Sequence, residues 1–120
     1  MQLSKYEEIG AENLRKLVRD FYLEIRKDEL LAPMYRDGFE AAEERLHLFM
    51  VQYLGGPATY SEQRGHPRLR KRHAGFTMNE ATKNNWLKNM EIALNRSAIS
   101  HENKEFLSNY FTKTAEFLIS

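Results

Sequence analysis

Apolar positions along the chain recur at spacings of three and four rather than two, which predicts helices and no strands. Ser4 followed three residues later by Glu7 is a capping-box pattern, so a short first helix opens there, and Gly10 ends it. Leu14, Leu17, Val18, Phe21, Tyr22 and Ile25 then form one stripe, with Arg15, Lys16, Arg19 and Glu24 off it. Asp28 interrupts this helix, and Leu30, Leu31, Met34 and Tyr35 gather into an apolar turn around Pro33 before the loop Arg36-Asp37-Gly38. Phe39, Ala42, Leu46, Phe49, Met50 and Tyr53 share a face of the next long helix, which Gly55-Gly56-Pro57 stops. From Ala58 to Pro67 the sequence has no period and reads as a loop. Two more long helices are expected. Asn79 starts one with Trp86, Leu87, Met90, Ala93 and Leu94 inward; Ser100 starts the other with Phe106, Leu107, Tyr110, Phe111, Phe117 and Leu118 inward. Four long amphipathic helices with short pieces between them make an all-α packing of helix on helix.

Composition narrows the class. A chain of 120 residues is the size of one domain, with an expected radius of gyration of roughly 14 Å. The 18 Lys and Arg nearly balance the 17 Asp and Glu, so no global field of either sign steers partners. Without cysteine there are no disulfides, thiolate metal sites or cysteine nucleophiles, in keeping with a reducing compartment. No apolar run is long enough for a membrane span and no signal peptide is recognisable, so a cytoplasmic protein is expected.

One segment departs from this balance: Arg64, Arg68, Arg70, Lys71 and Arg72 crowd around His66 and His73. A basic run can neutralise phosphates, so a small nucleic-acid-binding module using Arg64 to Arg72 is one reading. Helical spacing supplies a second. From Leu69, His73 lies four residues on and Phe76 three further, so the imidazole shares an apolar face rimmed by cations. Such a histidine is either a core residue with a satisfied hydrogen bond or a ligand in an apolar slot. The slot would suit a flat apolar cofactor carrying carboxylates, of which haem is one.

Longer motifs bear on the choice: Leu54-Gly-Gly-Pro57, then Tyr60-Ser-Glu-Gln-Arg-Gly-His-Pro-Arg-Leu-Arg70, Arg72-His73-Ala74, and Trp86-Leu87 thirteen residues past that histidine. Over nearly its whole length the chain resembles a truncated haemoglobin of the second group. The resemblance implies a two-over-two helical sandwich over residues 1–120, with an abbreviated first helix and a proximal helix reduced to a short turn after a long loop. Two departures are local. Gly10-Ala11 stands where such proteins commonly carry two glycines, and Gly75 stands where a proline commonly follows.

Carried over by position, the resemblance makes His73 the proximal iron ligand of haem b (iron protoporphyrin IX), with Phe76 on the same face. Tyr22, Tyr35 and Trp86 correspond to the distal hydrogen-bonding set. Ala42 and Leu46 correspond to positions facing the distal side, and neither can donate a hydrogen bond. Arg72, with Tyr60 and Arg70, is a candidate partner of the haem carboxylates. His47, His66 and His101 read as surface or capping residues. The implied ligands are oxygen, carbon monoxide and nitric oxide. The implied uses are oxygen binding or transport, or redox chemistry on oxygen, peroxide or nitric oxide in the manner of a nitric oxide dioxygenase or peroxidase. The sequence carries no flavin or nicotinamide domain, so turnover would call on an external reductase; a monomer or weak dimer is expected.

Overall fold

The computed structural model describes residues 2–65 and 77–119, and among these the regular structure is helical. Helix α1 (Lys5–Ile9) opens on the capping box read from the sequence: the Glu7 N–H donates to Ser4 Oγ at 3.1 Å, and the Ser4 N–H to Glu7 Oε1 at 3.0 Å. Gly10, at φ 92°, ends α1 and begins α2 (Ala11–Lys27). Its N–H donates to the Tyr6 carbonyl and its own carbonyl accepts from the Leu14 N–H. One residue at positive φ makes the whole turn. Ala11 is already helical, so a single glycine suffices here.

All six residues of the α2 stripe are buried. Each such aliphatic or aromatic side chain contributes about 1.5–3 kcal/mol on leaving water. A 3₁₀ turn (Ala32–Met34) leads through Gly38 into α3 (Phe39–Tyr53). At the end of α3, Gly55 takes φ 102°. A Cβ on Gly56 would lie 2.7 Å from Val51 Cγ1 and 3.0 Å from Tyr6 Cδ2. That close approach lets the Tyr6 N–H reach the Leu54 carbonyl at 2.9 Å and seats α1 against the α3 terminus.

The segment from Ala58 to Pro67, expected as a loop, contains helix α4 (Thr59–Arg64). Six residues are too few to show a period and too few to be stable alone. Tertiary contacts hold α4 in place. The Ser61 N–H donates to Gln52 Oε1 at 2.9 Å, Gln52 Nε2 donates to Ser61 Oγ at 2.8 Å, and Tyr60 is buried against Phe49.

Helix α5 (Glu80–Arg96) begins at Asn79, whose Oδ1 accepts from the Thr82 N–H while Thr82 Oγ1 accepts from the Asn79 N–H, both at 3.0 Å. Helix α6 (His101–Ile119) follows Ser100, whose hydroxyl accepts from the Asn103 N–H. Helix α2 packs on α3 and on α5, and α5 packs on α6, giving the two-over-two sandwich. The core runs through Leu14, Phe21, Ile25, Met50, Met90, Leu94 and Leu107. Two residues of the expected stripes face outward: Tyr53 and Phe117 are about half-exposed. The Cα radius of gyration is 13.9 Å.

Candidate functional site

A cleft of about 120 Å³, open to solvent, lies between the 3₁₀ turn, α3, α5 and α6. Leu31, Met34, Leu46, Met78, Phe111 and Leu118 supply apolar walls, and Thr77, Thr82, Thr114 and Lys83 add polar atoms. Tyr35, Trp86 and Tyr110 are the aromatic part of the lining.

Two aromatic residues of this wall come from the turn and from α5, and a third from α2 stands behind them. Tyr22, only 5% exposed, meets the ring of Tyr35 edge-on at 5.5 Å and 88°. Trp86 is wedged between Phe21 at 4.7 Å and Phe111 at 5.4 Å, which fixes the indole plane. Burial drives the Tyr35 hydroxyl up to about 12, while hydrogen bonds from Trp86 and Tyr22 to its oxygen pull the other way. Burial, the Tyr35 hydroxyl's negative form and the hydrogen bond to Tyr35 all raise Tyr22 well above the ordinary tyrosine value. Both phenols are therefore protonated at physiological pH. Two hydroxyls and one indole N–H gather at one spot of a mainly apolar cleft.

The backbone under this spot is anchored by Asp28, the residue that ends α2. Its carboxylate accepts from the Leu30 and Leu31 N–H groups at 3.0 Å each, from Asn89 Nδ2 at 2.9 Å and from Asn85 Nδ2 at 3.2 Å. Partial burial raises the Asp28 carboxyl, but these four donors together outweigh it and hold the group below the ordinary aspartate value. The network ties the turn bearing Tyr35 to the helix bearing Trp86.

Tyr35, Leu46 and Trp86 thus stand on the cleft wall, with Tyr22 directly behind. Ala42 is buried on α3 and is not part of the lining. Tyr60 also lies off the lining. Its ring meets Phe49 at 5.5 Å and 76°, with the Arg64 guanidinium 6.0 Å away. His73, Arg72, Arg70 and Phe76 lie outside the described residues, as do His66 and the rest of the basic segment beyond Arg64.

His101 is exposed at the start of α6, near Glu105. His47 departs from expectation. It is half-buried, and its Nδ1 is shut away from water with no partner among the described residues. Burial, then the Arg15 charge, lower its pKa against the weaker pull of Glu44.

Sequence reading missed Lys83, whose side chain is 15% exposed and lies 3.1 Å from Glu80. It precedes Trp86 by three residues, so helical spacing alone places both on one wall. Met34, Thr114 and Ala115 were not legible as site residues, because only the fold brings the turn and α6 to opposite sides of one cleft.

The lining suits a haem: broad apolar walls for the macrocycle, grouped donors for a small polar ligand, and the cation Lys83 in the same wall. The comparisons agree. The bacterial-like globin family matches residues 4–119. A group 2 truncated haemoglobin of Bacillus subtilis is 35% identical over 115 residues, covering 96% of this chain and 87% of that protein. The haemoglobin of Chloroflexus aurantiacus superposes with a TM-score of 0.94 at 37% identity, covering 99% of each chain. The structure of a truncated oxygen-avid haemoglobin from Bacillus subtilis gives 0.92 at 34% identity, over 98% of this chain and all of that one (100%). The chain belongs to the bacterial-like globins, and within them to the group II truncated haemoglobins. Haem is the cofactor this family implies. Neither the fold nor these relatives support the nucleic-acid reading of the basic segment.

Proposed function

We propose that the cleft binds haem b through His73 and presents oxygen, carbon monoxide or nitric oxide to Tyr22, Tyr35 and Trp86. The observation that supports this reading most is the polar cluster in an apolar cleft: one hydroxyl receives hydrogen bonds from both Trp86 and Tyr22. Ferrous haem supplies the metal position at which such gases bind.

The chain's own residues supply the rest. Trp86 can donate only and cannot accept; its one N–H rests on the Tyr35 oxygen and would be shared with a bound ligand carrying partial negative charge. Tyr22 and Tyr35 keep their protons at physiological pH; Tyr22 donates to the Tyr35 oxygen and holds it, which leaves the Tyr35 O–H as the donor for the ligand. Leu31, Leu46 and Phe111 supply apolar walls beside the spot. Arg72, Arg70 and Tyr60 are the residues assigned to the haem carboxylates, and the position of Lys83 adds it to that set.

Charge-assisted hydrogen bonds to the ligand slow its release, which favours redox use of oxygen, peroxide or nitric oxide over transport. An external reductase then returns the electrons. A cytoplasmic site of action, as a monomer or weak dimer, completes the reading.

Haem titration of the purified protein tests the proposal. A Soret band that shifts on reduction and again with carbon monoxide is expected; its absence removes the haem reading. In His73→Gly the protein-derived axial bond should vanish, and added imidazole should restore a five-coordinate ferrous spectrum. An unchanged iron–histidine stretch in the untreated variant removes His73 from the role.

A further inference from the structure

Tyr53, at the end of α3, is 46% exposed, yet its ring lies face to face with Tyr110 of α6 at 4.0 Å and 29°. Tyr110 itself lines the cleft, beside Phe111 at 5.5 Å, and Phe111 in turn meets Trp86 at 5.4 Å. The cleft and bulk water are therefore joined by two stacked phenols. Tyrosine and tryptophan are the side chains most easily oxidised by one electron outside the sulfur residues. Overlapping π faces in van der Waals contact couple well enough to pass an electron. The ligand reading uses Trp86, but neither Tyr53 nor Tyr110.

Resting on the haem reading above, we propose that Tyr53 is a surface redox site: an oxidising equivalent left in the cleft by a hydroperoxide passes through Tyr110 to Tyr53, where a small phenol is oxidised without entering the cleft. Oxidation of Tyr110 breaks its O–H bond, sending one electron into the cleft and one proton to water in the open cleft, while the Thr114 hydroxyl donates to the phenolic oxygen. Oxidation of Tyr53 returns one electron to Tyr110, which recovers a proton, while the proton of Tyr53 leaves to water. Burial holds the Tyr110 hydroxyl up to about 12, so that group is fully protonated between turnovers. A phenol AH then gives its hydrogen atom to the Tyr53 phenoxyl. Two passages complete the balance: ROOH and two AH yield ROH, water and two phenoxyl radicals A. The hydroperoxide is reduced by two electrons, and each phenol loses one electron and one proton.

The test uses the haem-loaded protein, hydrogen peroxide and a nitroso spin trap, with the adduct located by peptide mass mapping. The expected result is an adduct on Tyr53 in the wild type and its loss from Tyr53 in Tyr110→Phe, where Tyr53 still faces solvent. Guaiacol oxidation should fall in Tyr53→Phe, while the spectral change with carbon monoxide stays as in the wild type. Equal labelling of Tyr53 in Tyr110→Phe would mean direct oxidation from solvent and would overturn the route. A wild type with a normal Soret band that consumes peroxide yet leaves Tyr53 unlabelled overturns this proposal alone. A wild type with no Soret band overturns it together with the haem reading.

Discussion

Trp86 is held at two ring contacts and hydrogen-bonds the Tyr35 hydroxyl, so its N–H has little freedom to turn away from the cleft. A charge-assisted hydrogen bond is worth about 1.5–3 kcal/mol, so Trp86→Phe should speed oxygen dissociation about ten- to a hundredfold by stopped flow. Tyr22→Phe should do less, because Tyr22 stands behind Tyr35 and off the lining. The double variant should exceed the sum, since each loss removes a donor that masks the other. Unchanged rates in all three would remove the polar cluster from ligand binding. His47 makes a separate case at the same scale. Its folded pKa lies below the ordinary 6.5, with Arg15 and Glu44 as the charged groups acting on it. The unfolded chain therefore binds the proton first. Stability is full above about pH 6.5 and falls as the pH drops through the window down to the folded value. His47→Leu should flatten that fall and, by removing an unpartnered buried nitrogen, raise stability by about 1 kcal/mol in urea titrations. An unchanged pH profile would show that His47 does not set it.

Helices here are held at their ends by specific side chains. Asp28 is the clearest instance, joining the end of α2, the turn before Tyr35 and the middle of α5 through four donors. Its carboxyl titrates below the ordinary 3.8, so its contribution is complete above that pH and disappears as acid takes the pH through the lower, folded value. Asp28→Ala should cost about 1 kcal/mol near neutrality, the group being partly solvated, and should remove part of the acid-side slope. The difference between variant and wild type should shrink toward zero in strong acid; a constant difference across pH would mean that the carboxylate's charge is not what the donors hold.

At the scale of the whole molecule, the apolar cleft is a surface that a bound group would cover. The described helices wrap around it rather than closing over it, so the native state gains from any ligand it binds and the unfolded chain does not. Haem at a hundredfold excess over its dissociation constant should stabilise the fold by about 2.7 kcal/mol, which for a domain of this size is about 10 °C in Tm by calorimetry. An unchanged Tm with haem present would place the haem outside the native cleft.

The six-residue stripe of α2, the capping box at Ser4, the start of α5 at Asn79 and the end of α1 at Gly10 were all readable along the chain, because helix faces and caps depend on residues three or four apart. The resemblance to the group II truncated haemoglobins, and not the spacing of aromatics, singled out Tyr35 and Trp86, and both line the cleft. Helix α4 was not readable: Gln52 and the buried Tyr60 hold it, and six residues carry no period of their own. The buried Nδ1 of His47, the membership of Lys83, Thr114 and Ala115 in the cleft, and the face-to-face stack of Tyr53 on Tyr110 were equally hidden. Local spacing sets which face of a helix is apolar. Which residues of two helices meet depends on how those helices cross, and that is decided only when α2 packs on α3 and α5, and α5 on α6, which brings Tyr53 of α3 onto Tyr110 of α6.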